Sequence, residues 1–96
     1  MAGYSLRIKK SAAKELEAIP GKKDRQRLVR KINGLADEPR PPGVEKLSGT
    51  KDRYRIRQGN YRVLYEIEDD QLIVFVVKIA DAKVATDVPN ADDEGI

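Results

Sequence analysis

The strongest constraint on the fold is a run of alternating apolar and polar residues on either side of a glycine-containing turn, between residues 53 and 67. Successive side chains of a β-strand point to opposite faces, so the alternation predicts a hairpin with one apolar face and one polar face. The apolar rows are Tyr54 and Ile56, then Tyr61, Val63, Tyr65 and Ile67. Residues that pair across two strands point to the same face. Both apolar rows therefore share a face only when even-numbered residues of the first strand pair with odd-numbered residues of the second. A two-residue turn at Gln58-Gly59 meets this condition and places Arg55 opposite Arg62.

The polar face of this hairpin is rich in arginine. It carries Arg53, Arg55, Arg57 and Arg62. Like charges held opposite each other weaken a sheet by about 0.2–1 kcal/mol per pair. Because the face concentrates guanidinium groups in spite of that cost, the sequence predicts that it binds a polyanion, most simply a phosphate backbone.

Charge is unevenly distributed along the chain. Residues 1–80 contain 18 basic and 11 acidic side chains, whereas residues 81–96 contain one basic and five acidic ones. A basic body favours nucleic acid or an acidic protein partner, with plain solubility as the alternative reading of charge alone. The absence of cysteine and histidine excludes disulfides, thiolate metal sites and imidazole catalysis, and we expect neither a metal nor another cofactor. No apolar run approaches the roughly 20 residues that span a bilayer, so we expect a cytoplasmic protein without a membrane segment.

The remaining patterns predict a small sheet and two helices. Residues 4–9 alternate as a first strand, and a short helix capped by Ser11 and a longer one over Lys22–Asp37 form an antiparallel helical hairpin. A proline-rich connector follows, then the arginine hairpin and a last strand, apolar on both faces as a covered central strand would be. The order β-α-α-β-β-β predicts an α+β fold, a mainly antiparallel four-stranded sheet packed against the helical hairpin. Residues 1–80 would form this single domain, and residues 81–96 a poorly ordered acidic tail.

Three short sequence motifs are Lys46–Gly49, Tyr54–Arg57 and Gly59–Ile67. They resemble the RelE/ParE superfamily of toxin–antitoxin toxins, and within it the RelE-like branch. The resemblance implies a ribosome-dependent endoribonuclease that cuts mRNA, needs no metal, blocks translation and is neutralised by a RelB-like antitoxin. In that chemistry an RNA 2′-hydroxyl attacks the adjacent phosphate, which requires a base, cations around the phosphorane and an acid for the leaving oxygen. We expect the antitoxin to add a helix to an apolar groove or a strand to a sheet edge.

The resemblance also assigns roles to individual residues. Arg55 and Arg57 fall where RelE-like toxins place basic residues on the first strand of the hairpin, and Arg62 falls at a phosphate-binding arginine of the second. We expect Arg55 and Arg62 to stabilise the phosphorane and Arg57 to hold the RNA backbone, which makes these three the predicted catalytic residues. Outer RNA-binding contacts are predicted for Lys46, Lys51, Arg53 and Lys83.

The sequence departs from the RelE-like pattern after the last strand. RelE-like toxins carry an arginine there and a tyrosine a few residues later, whereas this chain has Ala82 and no tyrosine after Tyr65. Arginine is a poor base because it does not deprotonate near neutral pH, which leaves Glu66 either as a base or as an ion-pair partner. The prediction is therefore an attenuated mRNA interferase. Two alternatives stay open: a ParE-like DNA gyrase inhibitor without nuclease activity, and an inactive homologue that only binds the antitoxin.

Overall fold

The computed structural model describes residues 3–47 and 52–81, which contain two helices and five strands. In chain order these are β1 Ser5–Ile8, α1 Lys10–Glu17, α2 Lys22–Gly34, β2 Glu45–Lys46, β3 Arg53–Gln58, β4 Tyr61–Glu68 and β5 Ile73–Asp81. They form one sheet in the order β1-β5-β4-β3-β2, with β1 parallel to β5 and the other neighbouring pairs antiparallel. The predicted α+β fold is confirmed, with one difference: the two-residue edge strand β2 is a fifth strand. The predicted tail lies outside the described residues, except for Asp81 at the end of β5.

The two helices begin and end close to the predicted positions. Helix α1 starts at Lys10 with Lys9 at its N-cap position, so Ser11 lies inside the first turn and the predicted cap at Ser11 is wrong. Helix α2 ends at Gly34, three residues before the predicted end, although the chain continues in hydrogen-bonded turns to residue 38. Neither helix of the described segments is long and apolar enough to cross a membrane.

Both helices cover the same face of the sheet. The helices and the residues that follow their ends contribute Ala12, Ile19, Leu28, Ile32 and Leu35 to the core. The sheet contributes Tyr54, Ile56, Val63, Tyr65, Ile67, Val74, Val76 and Ile79. The apolar rows of the hairpin therefore face the helices, and the arginine row lies on the opposite side, which is called the open face below. Strand β5 has only half-buried side chains on that side, so its expected cover on both faces is wrong; both helices lie on one face.

A β-bulge changes the direction of side chains near the end of β5. Leu64 pairs with Lys78 but the next residue of β4 pairs with Val76, so β5 contains one extra residue at this point. Helix α1 holds the segment that follows. The carboxylate of Glu15 accepts hydrogen bonds from the Ile79 amide at 2.8 Å and from the Lys78 ammonium at 3.0 Å. The end of β5 is therefore fixed beyond the last residue that β1 pairs with.

The connector between α2 and β2 is anchored at its start. Arg40 donates to Asp69 Oδ2 at 2.9 Å and to the Tyr54 hydroxyl at 3.1 Å, and the buried Tyr65 hydroxyl donates to the Pro39 carbonyl at 2.7 Å. Hydrogen bonds from Arg40 hold the pKa of the Asp69 carboxyl below its usual value. These contacts fix the direction in which the connector leaves the helical layer and approaches the open edge of β3.

Candidate functional site

The hairpin that carries the arginines turns one residue later than predicted. Gln58 pairs with Tyr61, so the two residues of the loop are Gly59 and Asn60. Gly59 has a φ of 62°. Asn60 does not have a positive φ. A positive φ at the first loop residue but not at the second marks a type II′ turn, which favours glycine at the first position and matches the twist of the flanking strands. The glycine therefore belongs at the first loop position, whereas the prediction had placed it at the second.

The shifted turn changes which arginines oppose each other. Arg57 lies opposite Arg62, and Arg55 lies opposite Leu64. The predicted pairing of Arg55 with Arg62 is wrong. Odd-numbered residues of β3 still pair with even-numbered residues of β4, so the arginines still share one face. The like-charge contact is retained, but it lies at the turn end of the hairpin.

The three arginines predicted to be catalytic line one shallow pocket of about 200 Å³ on the open face. Strand β3 supplies Arg55 and Arg57, and β4 supplies Arg62. The connector adds Gly43, and β2 adds Glu45, which pairs directly with Arg55. Three separate parts of the chain thus form a single cationic pocket, called the arginine pocket below, with one carboxylate at its rim.

Arg55 is neutralised within the protein. Its Nε donates to Glu45 Oε1 at 3.1 Å and its Nη2 makes a second, closer contact with the same oxygen. The hydrogen bonds and charge of Arg55, with a further contribution from Arg62, hold the pKa of Glu45 below its usual value. Glu45 is therefore anionic at neutral pH and occupies the position that a phosphate oxygen would take on Arg55. An incoming phosphate must compete with it.

Arg57 and Arg62 differ from Arg55 in this respect. Across residues 3–47 and 52–81, neither side chain takes part in an ion pair. The Nε of Arg57 donates to the Gly59 carbonyl at 3.4 Å, a contact that leaves its charge uncompensated. On the other side of Arg62 lies the small Ala80. Two adjacent guanidiniums without an ion-pair partner are suited to bind the oxygens of one phosphate.

The structure separates two other predicted contacts from this pocket. Arg53 donates to Glu66 Oε2 at 2.6 Å, and the two side chains are only 28% and 19% exposed. Glu66 is therefore held as an ion-pair partner at the far end of the arginine row. Lys46 pairs with Tyr54, which places it on the helix-facing side of the sheet, and its ammonium lies 3.7 Å from Asp52.

Lys51 and Lys83 lie outside the described residues. Asp81, which would repel a phosphate inside the pocket, pairs with Tyr61 and so lies on the face opposite to Arg62.

Glu45 is the site residue that sequence reasoning missed. It lies in a strand of two residues, too short for any alternation to reveal. As a base it is weak, because its pKa is lowered and its carboxylate is engaged by Arg55. No group of three or more acidic side chains that could hold a metal ion occurs in the part of the chain that the structure describes. The pocket can therefore bind and polarise a phosphate, but its described residues include no efficient proton acceptor.

A family model described as the ParE toxin of the type II toxin–antitoxin system parDE matches residues 6–84. The chain belongs to the RelE/ParE superfamily of type II toxins. Among relatives of this RelE-like toxin, a RelE-like toxin protein of Escherichia coli is 32% identical over 93 residues, or 95% of each chain. The mRNA interferase toxin RelE of E. coli K12 is 32% identical over 78 residues, or 79% of this chain and 80% of that one.

A solved structure gives the same result. The archaeal RelE–RelB complex from Pyrococcus horikoshii OT3 contains a chain that superposes with a TM-score of 0.75 at 32% identity, covering 83% of this toxin and 96% of that chain. The family resemblance that the sequence predicted is confirmed.

Proposed function

We propose that this RelE-like toxin is an mRNA interferase that acts on ribosome-bound mRNA in the cytoplasm, blocks translation and is neutralised by a RelB-like antitoxin. The observation that carries the proposal is the pair of Arg57 and Arg62, which oppose each other on an open sheet face and have no ion-pair partner among the described residues. The E. coli relative named mRNA interferase toxin RelE supports the target, and the archaeal RelE in complex with RelB supports the antitoxin partner.

In this proposal Arg57 and Arg62 bind the scissile phosphate. Their guanidiniums neutralise the negative charge that grows as the 2′-hydroxyl attacks, and Arg55 contributes once the phosphate displaces Glu45. Loss of one such donor should lower the cleavage rate about 10²–10³-fold, by analogy with oxyanion-hole deletions. The ribosome would hold the RNA in the geometry for in-line attack, which is an orientation effect. Lys51 and Lys83 remain proposed outer contacts.

Proton transfer is the weak point of this catalyst. Glu45 and Glu66 are both engaged by arginines, and Ala82 stands where RelE-like toxins carry an arginine. We therefore propose that the chain binds RNA well and cleaves it slowly. Substituting arginine at Ala82, together with tyrosine at Ala85, should increase the rate of cleavage.

One experiment tests the nuclease. The protein is added to a purified translation system, and mRNA 5′ ends are mapped by primer extension, with Arg62→Gln as the inactive control. Cuts at codon positions that require ribosomes support the proposal. Intact mRNA together with ribosome binding that is salt-sensitive and abolished in Arg62→Gln supports an attenuated enzyme. Intact mRNA without ribosome binding contradicts the proposal.

A gyrase inhibitor is the second candidate, because the matching family model is that of the ParE toxin and gyrase inhibition needs no proton transfer. A supercoiling assay in the same preparation distinguishes it. Inhibition of gyrase with translation unaffected would replace the interferase proposal.

The antitoxin is tested separately by co-expression with the product of the neighbouring gene. An equimolar complex that restores translation is expected. A toxin that stays monomeric and unaffected contradicts this part of the proposal.

A further inference from the structure

A second cationic pocket, called the α2 pocket below, lies outside the arginine pocket, between α2, the connector and the tip of the β3–β4 hairpin. It has a volume of about 410 Å³. Its cationic wall consists of Arg27, Arg30 and Lys31, which recur at helical spacing and so share one side of α2. Among the described residues that line it, Glu38 alone is acidic. The excess of positive charge would favour an anionic ligand over a neutral or cationic one.

None of the three cations takes part in an ion pair within the described segments. Like charges at positions i, i+3 and i+4 of a helix repel each other, so their clustering disfavours the helix. Arg57 and Arg62 of the arginine pocket show the same feature, because neither has an ion-pair partner among the described residues. A ligand that supplies several negative charges would relieve both.

Residues that are close together in the chain line the two pockets, but the pockets lie on opposite faces of the sheet. The hairpin contributes Gln58 to the α2 pocket and the preceding residue, Arg57, to the arginine pocket. The connector contributes Pro41 to the α2 pocket and Gly43 to the arginine pocket. Because consecutive strand residues point to opposite sides, the hairpin tip has a cationic pocket on each side.

We propose that the α2 pocket binds the phosphate backbone of a second RNA segment, so that RNA contacts the toxin on both sides of the β3–β4 hairpin. A short oligonucleotide fills the arginine pocket alone, whereas a longer or structured RNA reaches both. The inference rests on the proposed RNA target and adds a second contact surface to it. The evenly spaced charges of a nucleic-acid backbone suit two cationic pockets separated by a hairpin, and each phosphate contact adds a salt-dependent increment of affinity.

The test inserts a charge without removing any contact. A Cβ at Gly34, which lines the α2 pocket, would meet no heavy atom within 4 Å, so a side chain can begin there without a clash. Gly34→Glu places a carboxylate in the pocket, and Gly34→Gln is the uncharged control of the same size. Affinity is measured by fluorescence anisotropy for single-stranded RNAs of about 4 and about 30 nucleotides, which bracket typical single-strand site sizes.

We expect Gly34→Glu to weaken binding of the long RNA several-fold and Gly34→Gln to leave it unchanged. The dependence of log affinity on log salt should become shallower by about 0.7 for each single-strand phosphate that the protein no longer binds. Neither variant should change binding of the short RNA. The double variant Arg27→Gln/Arg30→Gln should reproduce the effect, whereas Lys10→Gln/Lys14→Gln on α1, which removes the same charge, should not.

The ways in which the proposal can fail are distinguishable. If Arg62→Gln leaves short-RNA binding intact, the proposed function fails, whatever the α2 pocket does. If the short RNA behaves as expected but Gly34→Glu and Gly34→Gln bind the long RNA equally, the second RNA site is refuted. Polyglutamate of similar length is the last probe. If it binds as tightly as the long RNA and Gly34→Glu weakens both equally, the pocket is a site for acidic peptides and the RNA proposal is overturned.

Discussion

Replacing Arg57 with glutamine should stabilise the fold and weaken RNA binding at the same time. Arg57 and Arg62 are directly opposed across β3 and β4, and neither has an ion-pair partner in the described residues. A like-charge pair in this position costs about 0.2–1 kcal/mol, so removing one charge should increase the free energy of unfolding by that amount. For a domain of this size the change corresponds to a rise in Tm of about 1–8 °C.

Arg53→Gln is the matched control, because it makes the same substitution on the same strand and face. Arg53 is paired with Glu66, and both side chains are mostly covered. Breaking this ion pair should cost about 0.2–1 kcal/mol or somewhat more, so Tm should fall. RNA binding should change little, because Arg53 does not line the arginine pocket.

The two variants are compared by thermal unfolding, followed by circular dichroism, at about 0.01 M and about 1 M salt. The Debye length falls from about 30 Å to about 3 Å over this range, so the opposite shifts in Tm should shrink together. Short-RNA affinity is measured in the same buffers. If Arg57→Gln lowers Tm as much as Arg53→Gln does, the arginine row is held by contacts within the protein. The inference that the row exists for an external anion would then be wrong.

Three further changes test other contacts. Tyr65→Phe leaves the Pro39 carbonyl without its partner and should cost about 1–3 kcal/mol, measured by urea unfolding; an unchanged midpoint would show that water replaces the hydroxyl. Glu45→Gln should strengthen short-RNA binding by releasing its arginine partner, and equal affinity would show that the carboxylate does not compete with phosphate. Hydrogen bonds from Arg40 hold the pKa of Asp69 below its usual 3.8. The ionised carboxylate therefore contributes its full stabilisation above pH 3.8, and this contribution is lost as the pH falls through the lowered pKa. The free energy of unfolding of Asp69→Asn should therefore fall less steeply at acidic pH than that of the unsubstituted protein. Parallel curves of this free energy against pH would contradict the reasoning.

The hairpin shows how far sequence reasoning reaches. Alternation placed the arginine row on one face and the apolar row on the other, and the structure agrees. The alternation did not fix the register, because every register that pairs odd-numbered residues of one strand with even-numbered residues of the other satisfies it. The turn decided it: Gly59 adopts a positive φ at the first loop position and moves Arg62 opposite Arg57. A Gly-Asn pair flanked by strands is itself a known signal for this turn and could have indicated the register.

Glu45 shows what no local pattern contains. Its strand is two residues long and follows a connector that Arg40 and the buried Tyr65 hydroxyl anchor at its start. Its neighbour in space, Arg55, is ten residues away in the chain. The ion pair that restrains one of the three predicted catalytic arginines is therefore a product of the connector's path.

The sequence by itself determined which side chains of the hairpin share a face, the order of the two helices and the four longer strands, and the family, because these follow from the two-residue period of a strand, the helical period and residue identity. Only the tertiary structure decided which charges meet. Neighbours across a sheet depend on turn dihedrals and on how a connector is anchored. That is why the arginine row is divided into Arg53 and Arg55, which carboxylates neutralise, and Arg57 and Arg62, which remain available for an anion.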